Sequence, residues 1–368
     1  MKFYIIAGEA SGDMHAANLV YALKEFHPTI ELRGWGGDKM KDAGVQIVKH
    51  YRDLAFMGFV EVVKHLNTIF KNIKFCREDI EQYKPEAVIF IDYPGFNLRI
   101  LPFVKNLGIK TIYYISPQLW AWNSKRVNII KRYADKMLVI LPFEKDFYKN
   151  YQYEVDFVGH PLLDEISNKM KNPLFYKINN LSKDPIIAIL PGSRKQEIAK
   201  NLPIMLSLTK HFPEFIFVIA CAPGLHKQFY EQFYNSSNIY YLFNQTYDIL
   251  LHAEAAVVTS GTATLETALF NVPQIVCYKG NIISYIIAKQ LVHVKYISLV
   301  NLILDKEVVP ELIQHTFAEN KLKAAFQRLV FNDDYRTAMR ESYSELKNKL
   351  GDEGASERAA KIISDYCS

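Results

Sequence analysis

Short apolar runs alternate with amphipathic stretches along most of the chain. Residues 3–7 are apolar and end at Gly8. Residues 15–26 then carry Ala16, Leu19, Val20 and Leu23 at helical spacing. Residues 87–91 (AVIFI) are five apolar residues in a row, as in a parallel strand buried on both faces. Residues 111–115 and 136–140 repeat the pattern, with helical segments such as 100–107 between them. This β-α-β-α rhythm predicts a doubly wound α/β sheet that binds ligands at the carboxyl ends of its strands. Around residues 161–185 the rhythm breaks into Asn, Lys and Pro without a period, which reads as a linker. A second series follows, with strands expected at 186–190, 215–220, 239–242, 255–258 and 274–277. The pattern therefore predicts two successive Rossmann-like domains, then charged helices at 335–350 and 356–366.

The length of 368 residues suits two domains. Hydrophobic residues at 49% and charged residues at 23% exclude a disordered or fibrous chain. The net charge of +5 is compatible with an anionic partner without requiring one. Four scattered cysteines with no CxxC pair argue against a disulfide scaffold or a zinc ribbon and predict reduced thiols. The first apolar run meets Glu9 too soon for a signal peptide, and no window reaches the roughly 18 apolar residues of a spanning helix. The expectation is an intracellular protein whose membrane contact, if any, is peripheral.

Six segments carry candidate chemistry. GEASGD (8–13) lies between a strand and a helix, where backbone amides and a helix N-terminus favour an anion; a tight turn capped by Ser11 or Asp13 is the plainer alternative. IDYPGFN (91–97) sets Asp92 at the carboxyl end of a buried strand. A general base can sit there with its pKa raised by burial, and capping of a Pro-Gly turn is the alternative. SPQLWAW (116–122) places Trp120 and Trp122 one residue apart, for core packing or for gripping an apolar ligand, with Lys125 and Arg126 as phosphate partners. LPGSRKQEI (190–198) offers the amides of Gly192 and Ser193 and the guanidinium of Arg194 to a diphosphate, or Arg194 to a surface ion pair. TSGTATLE (259–266) offers a small-residue phosphate cradle and Glu266 to a ribose diol, or is a plain helix start. LAFMGFVEVVKHL (54–66) is either a buried helix or an apolar surface for acyl chains or a membrane. No Asp-x-Asp, HExxH, Walker A or Gly-x-Ser-x-Gly occurs, and no basic stripe interleaved with aromatics points to nucleic acid.

Taken together and in this order, GEASGD, MGFVEV, IDYPGFN, SPQLWAW, LPFEKDFY, VGHPL, LPGSR, SGTATLE and SLVNL resemble the lipid-A-disaccharide synthase family, nearly end to end. The resemblance implies a GT-B fold: two Rossmann-like domains facing a central cleft, with a C-terminal helix crossing back to the first domain. The divisions would be 1–168 for the acceptor and lipid side, 169–345 for the UDP-sugar side, and 346–368 for the returning helix. It implies inverting transfer of a diacylglucosamine unit from UDP-2,3-diacylglucosamine to 2,3-diacylglucosamine 1-phosphate (lipid X), with no metal or other cofactor. It also implies cytoplasmic work at the inner leaflet of the inner membrane, and leaves a homodimer open. By residue, it implies Asp92 as catalytic base with Glu9 beside it. Ser193, Arg194, Ser260, Gly261, Thr262, Glu266 and Asn301 would hold the UDP donor. Ser11, Asp13, Met57, Phe59, Val60, Trp120 and Trp122 would meet acceptor or lipid. One departure is Gly95, where relatives often carry a second aspartate (DAPDFN). Either Asp92 acts alone, or Glu9 compensates, or the glycine sharpens the turn.

Overall fold

The structure is a computed structural model that describes residues 1–54, 66–122, 124–233, 236–280 and 295–368, without the side chains of Leu54, Leu66 and Trp122. The chain forms two compact units, Met1–Asp164 with Leu350–Ser368, and Glu165–Lys349. The boundaries thus fall at 164/165 and 349/350 rather than at 168 and 346.

The first unit is built on a seven-stranded sheet of order β3-β2-β1-β4-β5-β6-β7, every pairing parallel. Its strands are β1 (Lys2–Ala7), β2 (Glu31–Gly36), β3 (Gln46–His50), β4 (Ala87–Ile91), β5 (Lys110–Tyr114), β6 (Lys136–Val139) and β7 (Asp156–Phe157). All five residues of β4 are buried, as the unbroken apolar run requires. Helices α1 (Ala10–Phe26), α2 (Asp38–Asp42), α3 (Leu66–Tyr83), α4 (Pro94–Asn106), α5 (Val127–Tyr133) and α6 (Glu144–Lys149) connect the strands. Tyr4, Trp35, Phe90 and Tyr113 anchor one core cluster of this unit.

The second unit repeats the plan with six parallel strands in the order β10-β9-β8-β11-β12-β13. These are β8 (Ile186–Leu190), β9 (Ile216–Cys221), β10 (Ile239–Phe243), β11 (Ala253–Thr259), β12 (Gln274–Tyr278) and β13 (Glu311–Ile313). Helices α7 (Lys195–Met205), α8 (Thr246–His252), α9 (Thr262–Leu269), α10 (Leu299–Leu304), α11 (Glu319–Phe331) and α12 (Asp333–Leu350) flank them.

The last helix, α13 (Ala355–Cys367), packs along α1 in the first unit. The Asp164 carboxylate accepts the amides of Gly354 (2.6 Å), Ala355 (3.4 Å) and Ser356 (3.2 Å), so a distant side chain caps this helix. Arg358 then ties it down through the carbonyls of Val158, Asp352 and Glu353. Among the described residues, no helix is long and apolar enough to cross a membrane.

Two boundaries differ from the sequence reading. Helix α1 begins at Ala10, so residues 10–13 of GEASGD form its first turn rather than a loop before it, and its N-cap is Glu9, not Ser11 or Asp13. Helix α4 begins at Pro94, which occupies the first helical position where a missing N–H costs nothing. The Pro-Gly pair therefore opens a helix and does not form a separate turn.

Candidate active site

In a doubly wound sheet the ligand site lies where the strand order reverses, at the carboxyl edge. In the first unit that point is between β1 and β4, whose last residues Ala7 and Ile91 are paired. The residues just beyond are Gly8–Glu9 and Asp92–Tyr93. A Cβ on Gly8 would lie 2.2 Å from the Tyr93 ring, so only glycine lets the two segments come this close.

Asp92 and Tyr93 both have left-handed backbones, with φ of 42° and 50°. Each costs on the order of 1 kcal/mol for a residue with a side chain. The surroundings hold them there. The Asp92 carbonyl accepts the Tyr113 hydroxyl (2.6 Å) and the Asn97 side-chain amide (2.8 Å), and the same Asn97 group reaches the Ile91 carbonyl (3.3 Å). Ile115, one strand over, also has positive φ, at 67°. Strain thus gathers at this edge, as it does at working sites. Burial pushes the Asp92 carboxyl up to about 7; the negative charge of Glu9 adds to this and the Tyr93 amide opposes it. A carboxylate poised near neutrality at a strand's mouth has the properties of a general base.

The other first-unit candidates divide. Ser11 is exposed on the first turn of α1. Asp13 is buried and engaged: its carboxylate accepts the amides of Gly37 (2.6 Å), Lys39 (3.1 Å) and Met40 (3.1 Å), capping α2. These bonds tie α1 to the start of α2. The Trp120 indole N–H donates to Glu144 (3.3 Å), and its ring meets Phe143 edge-on. Glu144 is itself buried, accepts the amides of Ile140 and Leu141, and is pushed up to about 7 by burial. This network fixes the segment that carries Trp120. Met57, Phe59 and Val60 lie outside the described residues, as does the Trp122 side chain. Gly95 lies within α4 without a positive φ, and a Cβ there would meet nothing within 4 Å. Neither the turn nor packing requires a glycine at this position.

In the second unit the order reverses between β8 and β11, and a pocket of about 250 Å³ opens at that point. Ser193, Ser260, Gly261, Thr262 and Glu266 line it, together with Glu197. Helix α9 starts at the pocket with Gly261 as N-cap and no side-chain cap. That leaves amides and a positive helix end facing a prospective anion. The Ser260 hydroxyl donates to the Ile297 carbonyl (3.0 Å). Burial pushes Glu266 up to about 7, with Glu165 adding to it and the Tyr247 hydroxyl, 3.5 Å away, opposing it. Arg194 is exposed at the N-cap of α7.

Asn301 lies on α10. It is fully buried; its amide donates to the Val309 carbonyl (2.8 Å) and Glu311 (2.9 Å), and its oxygen accepts the amides of Val308 (2.8 Å) and Val309 (3.0 Å). These bonds tie α10 to residues 308–311. Three residues enter that the sequence reading leaves out. Asn97 steadies Asp92, Tyr247 steadies Glu266, and Glu197 lines the pocket with its carboxyl pushed up by burial. Asn97 and Glu197 lie inside quoted motifs, and the spacing of Glu197, three after the helix N-cap, is that of a capping box. Among the described residues, no group of three or more His, Cys, Asp or Glu side chains is placed to hold a metal ion.

Comparison with known proteins gives the same picture from outside. The family model "Lipid-A-disaccharide synthetase" matches residues 3–365. A lipid-A-disaccharide synthase of Syntrophus aciditrophicus is 40% identical over 364 residues, covering 97% of this chain and 95% of that one. One of Geobacter sulfurreducens is 35% identical over 371 residues, covering 98% and 96%. Among solved structures, UDP-GlcNAc 2-epimerase of Neisseria meningitidis bound to UDP-GlcNAc superposes with a TM-score of 0.72 at 13% identity, covering 99% and 100%. A calicheamicin glycosyltransferase gives 0.62 at 14%, covering 99% and 97%. At these identities the structural matches establish a shared GT-B fold.

Proposed function

Because the chain belongs to the lipid-A-disaccharide synthase family, a family of glycosyltransferases of lipid A biosynthesis, we propose the following reaction for it. It transfers a 2,3-diacylglucosamine unit from its UDP donor to the 6-hydroxyl of 2,3-diacylglucosamine 1-phosphate. The products are the β-1,6-linked disaccharide 1-phosphate and UDP. The observation that carries this reading is Asp92, pushed up to about 7 at the switch point of the first sheet, within a chain matched end to end by the family.

In this mechanism the Asp92 carboxylate takes the proton from the acceptor hydroxyl as its oxygen attacks the donor's anomeric carbon. The bond from that carbon to the UDP oxygen breaks, and UDP leaves with the electron pair. A single displacement inverts the α-donor to a β-product. The second-unit pocket holds UDP: the Gly261–Thr262 amides and Arg194 take the diphosphate, and Glu266 accepts from the ribose diol. Charge on the leaving group is met by amides and a guanidinium, so this reading needs no metal. Work at the cytoplasmic face of a membrane, with the apolar segment around Met57 meeting acyl chains, belongs to the same proposal.

The epimerase-like fold makes a direct test available. Offered UDP-N-acetylglucosamine, which lacks the long acyl chains, the protein is expected to neither epimerise nor cleave it. Offered the diacylated donor with acceptor, it turns over. Equal turnover of both donors, or a C2 epimer in the product, overturns the reading.

A further inference from the structure

Two hydroxyls just beyond β11 already have their hydrogens committed. Ser260 donates to the Ile297 carbonyl (3.0 Å) and Thr264 to the Gly261 carbonyl (2.8 Å). The Ser260 amide is likewise bonded, to the Cys277 carbonyl (2.9 Å). Thr259, the last residue of β11, differs. It is buried, lines the second-unit pocket, and its hydroxyl meets the side chain of Asn201 at 3.2 Å. Asn201 lies on α7 and is fully buried. The other polar atom of its side chain meets the Lys279 amide at 3.1 Å, just beyond β12. A backbone N–H can only donate, so the Asn201 oxygen must face Lys279 and its nitrogen must face Thr259. That nitrogen can only donate in its turn. The Thr259 oxygen therefore accepts, and its own hydrogen is left over. Among the described residues, Asn201 is the one hydrogen-bond partner of this hydroxyl. A buried O–H without an acceptor is costly, and the pocket is the open space it lines.

We propose that Thr259 is a binding residue for the donor's diphosphate, its hydroxyl hydrogen offered to a phosphate oxygen, and that Asn201 is the positioning residue that fixes this direction. This rests on the reading of the pocket as the donor site. A phosphate oxygen is the acceptor that fits. Thr259 stands two residues before Gly261, the N-cap of α9, and that helix start has no side-chain cap and favours the same anion. Asn201 also joins α7 to the ends of β11 and β12, so one buried amide holds together three elements around the pocket. Ser260, with its amide and hydroxyl both bonded to carbonyls, has no such hydrogen to give.

The test is calorimetric binding of UDP and of uridine to the full chain, wild type and variants. Thr259→Val keeps the shape of the side chain and removes the hydroxyl. The UDP-to-uridine affinity ratio is expected to fall about tenfold to a hundredfold, the range for losing one hydrogen bond to a charged group. Uridine affinity itself should not move. Thr259→Ser keeps the hydroxyl and should keep the ratio. Thr259→Ala removes the same group without filling its space, so the test stands even if valine is not accommodated. Asn201→Leu should lower the ratio in the wild type and leave it unchanged in Thr259→Val, because the hydroxyl it directs is already gone. A wild type that prefers UDP, with the same ratio in Thr259→Val and Thr259→Ala, overturns the contact and leaves Asn201 a plain stitch. A serine variant that loses as much as valine overturns it as well, since packing would then be the cause. Equal losses from Asn201→Leu with and without the Thr259 hydroxyl overturn the positioning role. A wild type with no preference for UDP over uridine overturns the donor-site reading, and this inference with it.

Discussion

Asp92 shows how one residue's environment sets both a function and a cost. Its carboxyl titrates near 3.8 in an unfolded chain and near 7 in the folded protein, chiefly because the folded site is poorly solvated. Between about pH 4 and pH 7 the unfolded chain loses this proton before the folded one does. The folded state therefore loses stability across that window as pH rises, and the loss is complete above it. Asp92→Asn should remove the penalty. At pH 8 the variant should melt about 2–5 °C above the wild type, and near pH 4 the two should coincide. Over the same substitution kcat should fall by roughly 10²-fold or more, and the acidic limb of the rate profile near pH 7 should vanish. A variant that melts lower at pH 8, or that keeps the limb, contradicts the assignment. At this scale Asp92 is legible in the sequence because five apolar residues lead straight to it. The hydrogen-bond partners of Asp13 and Asn301 are not, since folding brings them up, those of Asp13 from 24 to 27 positions away.

At the scale of elements, long uniform patterns read well and short ones do not. The strands β4, β8 and β9 are wholly buried and announce themselves. The strand β2 reads ELRGWG, with two charged residues and two glycines among its six. Gly34 is needed there because a Cβ would collide with the Ile5 carbonyl at 1.9 Å, a contact that exists only after β1 and β2 pair. The strands β7 and β13 have two and three residues, too few to show a period. The docking of α13 follows from the family resemblance, while its cap shows in no local pattern, because Asp164 and the helix it caps are about 190 residues apart. The geometry predicts what that cap contributes. Asp164→Ala leaves three amides without their acceptor and should lower the melting temperature by about 2–6 °C, as loss of a helix cap does. Amide exchange in residues 355–367 should quicken at the same time. Unchanged exchange there would mean that packing against α1 alone holds the helix.

At the scale of the whole molecule, the order of motifs carried more than any single motif. GEASGD or SGTATLE alone is a helix start after a strand. Nine such segments in sequence resemble one family, and a family match over residues 3–365 shows it. The two sheets have the same winding, and each presents its candidate chemistry at the point where that winding reverses. The proposed reaction draws its base from one sheet and its donor pocket from the other. The net charge of +5 suits substrates that both carry phosphate, though it does not select them. The central claim is the reaction itself, and UDP release tests it most directly. The purified protein is given UDP-2,3-diacylglucosamine with and without 2,3-diacylglucosamine 1-phosphate, and the lipid product is weighed by mass spectrometry. The account predicts UDP release only when the acceptor is present, with a tetra-acyl disaccharide monophosphate as product. UDP release that proceeds equally without acceptor, or a folded protein that binds UDP but forms no disaccharide, would contradict it.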